Sequence, residues 1–282
     1  MALLLKGFSD ETVDTGEVEI GYSVGPDNGP TLLLAHGVTS RRDSFLSVLD
    51  VLTAKYRVVT MDQRGHGYSG HPGEYGREDH ARDINFILEN VCDAPTILWG
   101  HSMGGANSVG VAINPPSQLK ALVLEDAAVF PRVRPPSASN SPTMSMFQIS
   151  LDLIDADATV EEAAARFREA YPNWPDYIYG WKAESILQMD ADILRNVIGG
   201  TSSFSPGDPA ETLARIKCPV LLMQADPTAG GILADDFLAE VVPDSDDWTV
   251  VKIEGAGHNI HREHSELLLS VVLPWLETQS GA

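Results

Sequence analysis

Pro95-Thr96-Ile97-Leu98-Trp99-Gly100-His101-Ser102-Met103-Gly104-Gly105-Ala106-Asn107-Ser108-Val109-Gly110-Val111-Ala112 carries the reading of the fold. Its first five residues form a short apolar run that suits a strand buried on both faces. Gly100–Gly104 matches G-x-S-x-G, and the small residues from Gly105 onward suit a helix packed close to a sheet. A serine on such a tight strand-to-helix turn is held in strained backbone with its hydroxyl exposed. Larger side chains beside it would clash, so the flanking glycines are part of the signal.

Working outward, strand-like and helix-like segments alternate, which predicts an α/β protein with a mostly parallel sheet flanked by helices. Strands are expected at Val18–Val24, Thr31–Ala35, Tyr56–Met61, Leu119–Leu124, Pro219–Gln224 and Trp248–Ile253. Helical spacing marks Ser44–Lys55, Glu78–Asn90 and Ser265–Glu277. The texture changes at Phe130–Pro142, a proline- and serine-rich connection that includes Arg132 and Arg134. Helical, aromatic-rich sequence follows and closes at the flexible stretch Gly199–Gly207. The expected division is therefore a core of residues 1–128 and 208–282, interrupted by a helical cap at 129–207.

The chain has 282 residues, of which 43% are hydrophobic and 21% charged, ordinary values for a globular protein. Its net charge of −21 is not ordinary. With no Lys/Arg run, it argues against a nucleic-acid partner and disfavours an anionic membrane surface. It reads instead as an aid to solubility. Cys92 and Cys218 form no C-x-x-C pair and read as reduced core residues. No signal peptide or membrane span is expected, which makes a cytoplasmic monomer or homodimer the default.

A serine hydroxyl needs an adjacent base, and the base needs a group that fixes its tautomer. His258, in Gly255-Ala256-Gly257-His258 after the last strand, is the expected base. His261 and His264 read as solvated positions near the final helix. The acid has two candidate places that keep the order serine, acid, histidine. Asp226 after the strand ending at Gln224 is favoured; Asp126, or its neighbour Glu125, is the alternative. An oxyanion hole needs two backbone N–H groups. Met103 and Val38, the latter in His36-Gly37-Val38-Thr39-Ser40, are placed to supply them, with His36 fixing the loop.

Together these pieces resemble the α/β-hydrolase family over nearly the whole chain. Four blocks carry the resemblance: His36–Ser40, Asp62-Gln63-Arg64-Gly65-His66-Gly67-Tyr68-Ser69, Gly100–Gly105 and Gly255–His258. The resemblance implies an α/β-hydrolase fold, no cofactor or metal, and a structural role for Asp62, Arg64 and His66. Many members carry Gly-x-x-Asp where this chain has the tighter Gln224-Ala225-Asp226, so both acid positions stay open. Within the family the chain is similar to the group containing (E)-2-(acetamidomethylene)succinate hydrolase, on Thr39-Ser40, Asp62-Gln63-Arg64, Asn107-Ser108-Val109 and Tyr171-Pro172-Asn173.

The expected activity is hydrolysis of a carboxylic ester or lactone through an acyl-enzyme on Ser102. Amide hydrolysis of a small acylated metabolite, carbon–carbon hydrolysis and a hydrolase-derived ligand receptor are the alternatives. The cap residues Met144, Met146, Phe147, Trp174, Tyr177 and Trp181 are expected to meet a small-molecule substrate with an apolar or aromatic part. Arg41, beside the oxyanion loop, is the expected contact for a carboxylate.

Overall fold

The computed structural model describes residues 7–92, 95–129, 142–200 and 208–280. Eight strands form one sheet: β1 (Ser9–Asp14), β2 (Glu19–Val24), β3 (Thr31–Ala35), β4 (Arg57–Met61), β5 (Thr96–His101), β6 (Leu119–Glu125), β7 (Val220–Ala225) and β8 (Trp248–Ile253). Their order is β1-β2-β4-β3-β5-β6-β7-β8. The pairs β1–β2 and β2–β4 are antiparallel, and every later pair is parallel. The mostly parallel sheet expected from the alternating pattern is therefore present.

Strand alternation divides the core between the two faces of the sheet. Leu33, Leu98, Leu122, Leu124 and Leu222 point to one face. There they pack with Ile84, Ile87 and Leu88 of α2 (Arg77–Asn90) and Val109 and Val111 of α3 (Met103–Ala112). Leu32, Leu34, Ile97, Trp99, Val123 and Leu221 point to the other. Their partners are Val48, Leu49 and Leu52 of α1 (Leu46–Leu52) and Leu268, Val272 and Leu276 of α11 (Ser265–Ser280). The strands Thr31–Ala35, Thr96–His101 and Val220–Ala225 are buried at every position, because helices cover both faces.

The sequence reading missed β1. Ser-Asp-Glu-Thr-Val-Asp has no apolar alternation, since this edge strand has few buried neighbours and stays exposed along most of its length.

Between β6 and β7 the chain forms α4 (Pro142–Asp155), α5 (Val160–Ala170), α6 (Asp176–Leu187) and α7 (Ala191–Gly199). These helices build a third apolar cluster around Met144, Phe147, Phe167, Tyr179, Ile186 and Leu194. Val38 of the loop after β3 packs against it, which joins the helices to the sheet edge. Both ends of the expected division at 129–207, Arg132 and Arg134 included, run into residues outside those described. Short helices α8 (Pro209–Leu213), α9 (Asp235–Val241) and α10 (Ile260–Glu263) complete the chain.

The approach of α3 to the sheet rests on three glycines. A Cβ on Gly104 would lie 2.2 Å from the Ala35 carbonyl oxygen, and one on Gly105 would lie 2.4 Å from Ala127 Cβ. One on Gly100 would lie 2.5 Å from Gly105 Cα. Backbone cannot yield there as a flexible side chain can. Gly104→Ala is expected to destabilise the fold by about 1–3 kcal/mol, the usual cost of overpacking. A lower urea midpoint at constant m-value measures it.

Candidate active site

Ser102 stands between β5 and α3 at φ 52° and ψ −115°. A positive φ is costly for a residue with a Cβ, and it turns the hydroxyl out at the C-terminal end of the strand. The strain is held by neighbours: Ser102 N–H donates to Glu125 O at 3.0 Å, and Ser102 O accepts from Ala106 N and Ala128 N.

His258 lies in the loop between β8 and α10. Its Nε2 is 2.9 Å from Ser102 Oγ, and its Nδ1 is 2.7 Å from Asp126 Oδ2. A carboxylate only accepts, so Nδ1 carries the hydrogen and Nε2 is free to accept from the serine hydroxyl. Asp126 is fully buried, Ser102 6% exposed and the His258 side chain 17% exposed. Only the imidazole edge therefore meets the cavity in front of it.

The carboxylate that His258 Nδ1 meets is that of Asp126, not the favoured Asp226. Asp126 follows β6 at φ 37°. Its Oδ2 also accepts from Ile232 N at 2.9 Å, and its Oδ1 from Ala225 N at 3.3 Å. Backbone amides after and at the end of β7 thus hold it under His258. Asp226 is engaged elsewhere. Its Oδ1 accepts from the N–H and hydroxyl of Thr228, and its Oδ2 from Gly255 N at 3.0 Å. The Gly255 and Thr228 hydrogen bonds hold its carboxyl down at about 2. Asp-Pro-Thr is an N-cap pattern, with Pro at the first helical position, and it marks Asp226 as a turn residue.

Glu125 is engaged away from His258 as well. Its Oε1 accepts from the backbone N–H and Nδ1 of His261, both at 2.8 Å, and its Oε2 from Trp99 Nε1 at 3.1 Å. His261 is consequently fully buried rather than solvated, while His264 is exposed as expected. Glu125 fastens the start of α10, just past the base, to β5 and β6.

Val38 lines the cavity with Ser102, and Met103 opens α3 directly after it. The first N–H groups of a helix lack intrahelical partners and carry its positive end. The Val38 loop presses against the serine: a Cβ on Gly37 would meet Ser102 Cβ at 3.1 Å. His36 fixes this loop. Its Nε2 accepts from Gln63 N at 3.0 Å, its Nδ1 contacts Gly37 O at 2.8 Å, and burial lowers its pKa to about 4, leaving it neutral.

The block from Asp62 onward is scaffold. Asp62 accepts from Arg42 N at 2.7 Å and Tyr68 N at 3.0 Å. Arg64 grips Asp83 through two bonds of 2.6 and 2.8 Å. His66 is fully buried, and burial pushes its pKa down to about 3.

A cavity of about 580 Å³ opens in front of Ser102. Of the expected lining residues, Met146, Phe147, Trp174, Tyr177 and Trp181 reach it. Met144 does not; it packs in the core of the inserted helices. Arg41 does not either. Its guanidinium is consumed by Asp43 at 3.0 Å, Glu184 at 2.8 Å and Gln188 at 2.8 Å. It ties the loop after β3 to α6. Sequence reasoning missed Lys182 and Arg262, both on the cavity wall. Each occupies a helical stretch whose burial no local pattern announces.

The matched family agrees with this geometry: residues 30–265 match the alpha/beta hydrolase fold family. The chain belongs to that family. It is 25% identical over 276 residues to 2-(acetamidomethylene)succinate hydrolase of Mesorhizobium japonicum, covering 96% of both chains. It is 28% identical over 275 residues to the magnesium-chelatase 30 kDa subunit of Rhodobacter capsulatus, covering 90% of this chain and 89% of that one. Among solved structures, N-formylmaleamic acid deformylase of Pseudomonas putida shares the fold with a TM-score of 0.78 and 23% identity, covering 94% of this chain and all of that one. This alpha/beta hydrolase therefore joins a family fold to a hydrogen-bonded Ser102–His258–Asp126 chain.

Asp126→Asn is expected to lower kcat/KM by about 10³–10⁴, as loss of a tautomer-fixing acid does. Asp226→Asn should cost less than about tenfold, because it removes turn bonds and leaves His258 Nδ1 partnered. Parallel assays of the two variants on p-nitrophenyl acetate check this. Asp226 also adds an acid-limb signature. Its depressed carboxyl stabilises the folded chain fully above the ordinary carboxylate range, and that contribution is lost as pH falls toward about 2. Asp226→Asn should flatten the stability curve in that window, read by urea midpoints against pH.

Proposed function

We propose that the protein is a serine hydrolase that cleaves a carboxylic ester or lactone through an acyl-enzyme on Ser102. The observation that carries this reading is the continuous bond chain from Asp126 through His258 to Ser102 Oγ, opening on a cavity of enzyme-site size.

His258 Nε2 takes the hydroxyl proton as Oγ attacks the carbonyl carbon, and Asp126 stabilises the imidazolium that forms. The carbonyl oxygen becomes an oxyanion that accepts from the N–H groups of Val38 and Met103, at the positive end of α3. Collapse expels the alkoxide, which takes the proton from His258. Water then adds to the acyl carbon, giving its proton to the same base, and the acid leaves with Ser102 restored. All the residues needed come from this chain, with no step assigned to a cofactor or metal.

The helices α4–α7 act as the cap. Met146 and Phe147 of α4 and Tyr177 and Trp181 of α6 roof the cavity, with Trp174 between α5 and α6, which favours a substrate with an apolar or aromatic part. A second reading, hydrolysis of an amide in a small acylated metabolite, is favoured by the relative named 2-(acetamidomethylene)succinate hydrolase. The triad serves both bonds; they differ in how much His258 must help the leaving group.

Ser102→Ala is expected to reduce turnover of p-nitrophenyl acetate and short lactones by on the order of 10⁶. Wild-type protein quenched during turnover should carry one acyl mass on the peptide containing Ser102. Activity within tenfold of wild type in Ser102→Ala, or acylation elsewhere, would overturn the reading. Stoichiometric acylation without turnover would favour a ligand receptor.

A further inference from the structure

The protein carries 40 acidic and 19 basic residues, yet its cavity has the opposite balance. Among the described residues, one acid lines it, Glu263, against two cations, Lys182 and Arg262. Glu263 is exposed, and its Oε1 accepts from Asn259 Nδ2 at 3.1 Å. The two cations sit deeper and come from different elements, α6 and α10.

Lys182 is 4% exposed. Its ammonium donates to the carbonyl oxygen and hydroxyl of Thr39, at 2.8 and 2.6 Å. An ammonium has three donors, so these two bonds leave one to spend. Arg262 is half-buried, with its guanidinium carbon 4.9 Å from the centre of the Trp181 ring. Its one side-chain hydrogen bond among the described residues goes to Asn259 Oδ1. Neither cation makes an ion pair with a carboxylate among the described residues. The acids whose fields reach Arg262 are already engaged: Asp43 by Arg41 and Trp181, Glu125 by His261 and Trp99, Glu263 by Asn259.

Two neighbouring cations in a walled cavity repel each other and lose hydration. Burial, and then the charge of Arg262, push the Lys182 ammonium well below its ordinary range. An anion between them would relieve both costs. Arg41, the cation the sequence singled out, cannot do so, since its three contacts lie outside the cavity wall.

We propose that Arg262 and Lys182 form a carboxylate-binding subsite, so that the substrate of this hydrolase is an acyl compound bearing a free carboxylate as well as an apolar body. This rests on the serine-hydrolase reading for the word substrate, though the subsite itself is a matter of binding. Arg262 supplies a planar fork of donors beside the Trp181 ring, and Lys182 supplies a point charge from a different helix. Trp181, Tyr177 and Phe147 receive the apolar body. The net charge of −21 repels small anions from the protein at large, so any hold on a carboxylate must come from these two lining cations.

The test uses binding, so that it is independent of turnover. Calorimetric titration of the full chain with phenylacetate, and separately with the isosteric phenylacetamide, measures the contribution of the charge. Wild-type protein is expected to bind the acid at least tenfold more tightly than the amide, the gain typical of charge-assisted hydrogen bonds. Arg262→Gln and Lys182→Met should each bring that ratio toward one. Equal affinity for acid and amide in wild type overturns the subsite and needs no variant. A preference that survives in both folded variants also overturns it. Failure of Ser102 to take up a fluorophosphonate label would sink the hydrolase reading while leaving these affinity ratios to judge the subsite separately.

Discussion

The hydrogen bond from His258 Nδ1 to Asp126 Oδ2 is the constraint on which the rest of the site depends. It joins the end of β6 to the loop after β8, reaching past β7, the strand between them. The span is possible because Asp126 turns at positive φ and is gripped by amides at Ala225 and Ile232. A carboxylate buried without such donors would be costly; here the desolvation is offset by three fixed N–H groups. The bond also decides the chemistry, since it leaves Nε2 as the acceptor facing Ser102.

Three further features keep that bond in register. Glu125, the residue before Asp126, anchors His261 and so fixes the segment that leaves His258. The glycines around Ser102 let α3 press on the sheet, which sets the height of the hydroxyl relative to the imidazole. Arg41 and Lys182 join the loop after β3 to α6, so that loop and the inserted helices are tied at two points. Sheet, loop and roof thus meet at one cavity, and each contact has an identifiable donor and acceptor.

Much of the fold was legible because buried parallel strands read as apolar runs; Thr31–Ala35, buried at every position, has the same bounds in the structure as in the pattern. The edge strand Ser9–Asp14 was not legible, because an exposed strand needs no apolar alternation. In the site, Ser102 and His258 were readable from the glycines that position them. The carboxylate partner of His258 was not, because choosing between Asp126 and Asp226 depends on which carboxylate crosses β7, a matter of three-dimensional reach. Asp226-Pro227-Thr228 did carry a local capping signal, and that signal outranks its position after a strand. Arg41 looked like a substrate contact from its place in the chain. Besides the nearby Asp43, its partners Glu184 and Gln188 lie more than a hundred residues away and leave no local trace.

The bond between His258 and Asp126 is read by the low-field proton resonance of the His258 Nδ1–H in the free protein. This resonance is expected in wild type, disappears or moves strongly upfield in Asp126→Asn, and persists in Asp226→Asn. A resonance unchanged in Asp126→Asn, or lost in Asp226→Asn, would contradict the assignment of Asp126 as the group that holds the base.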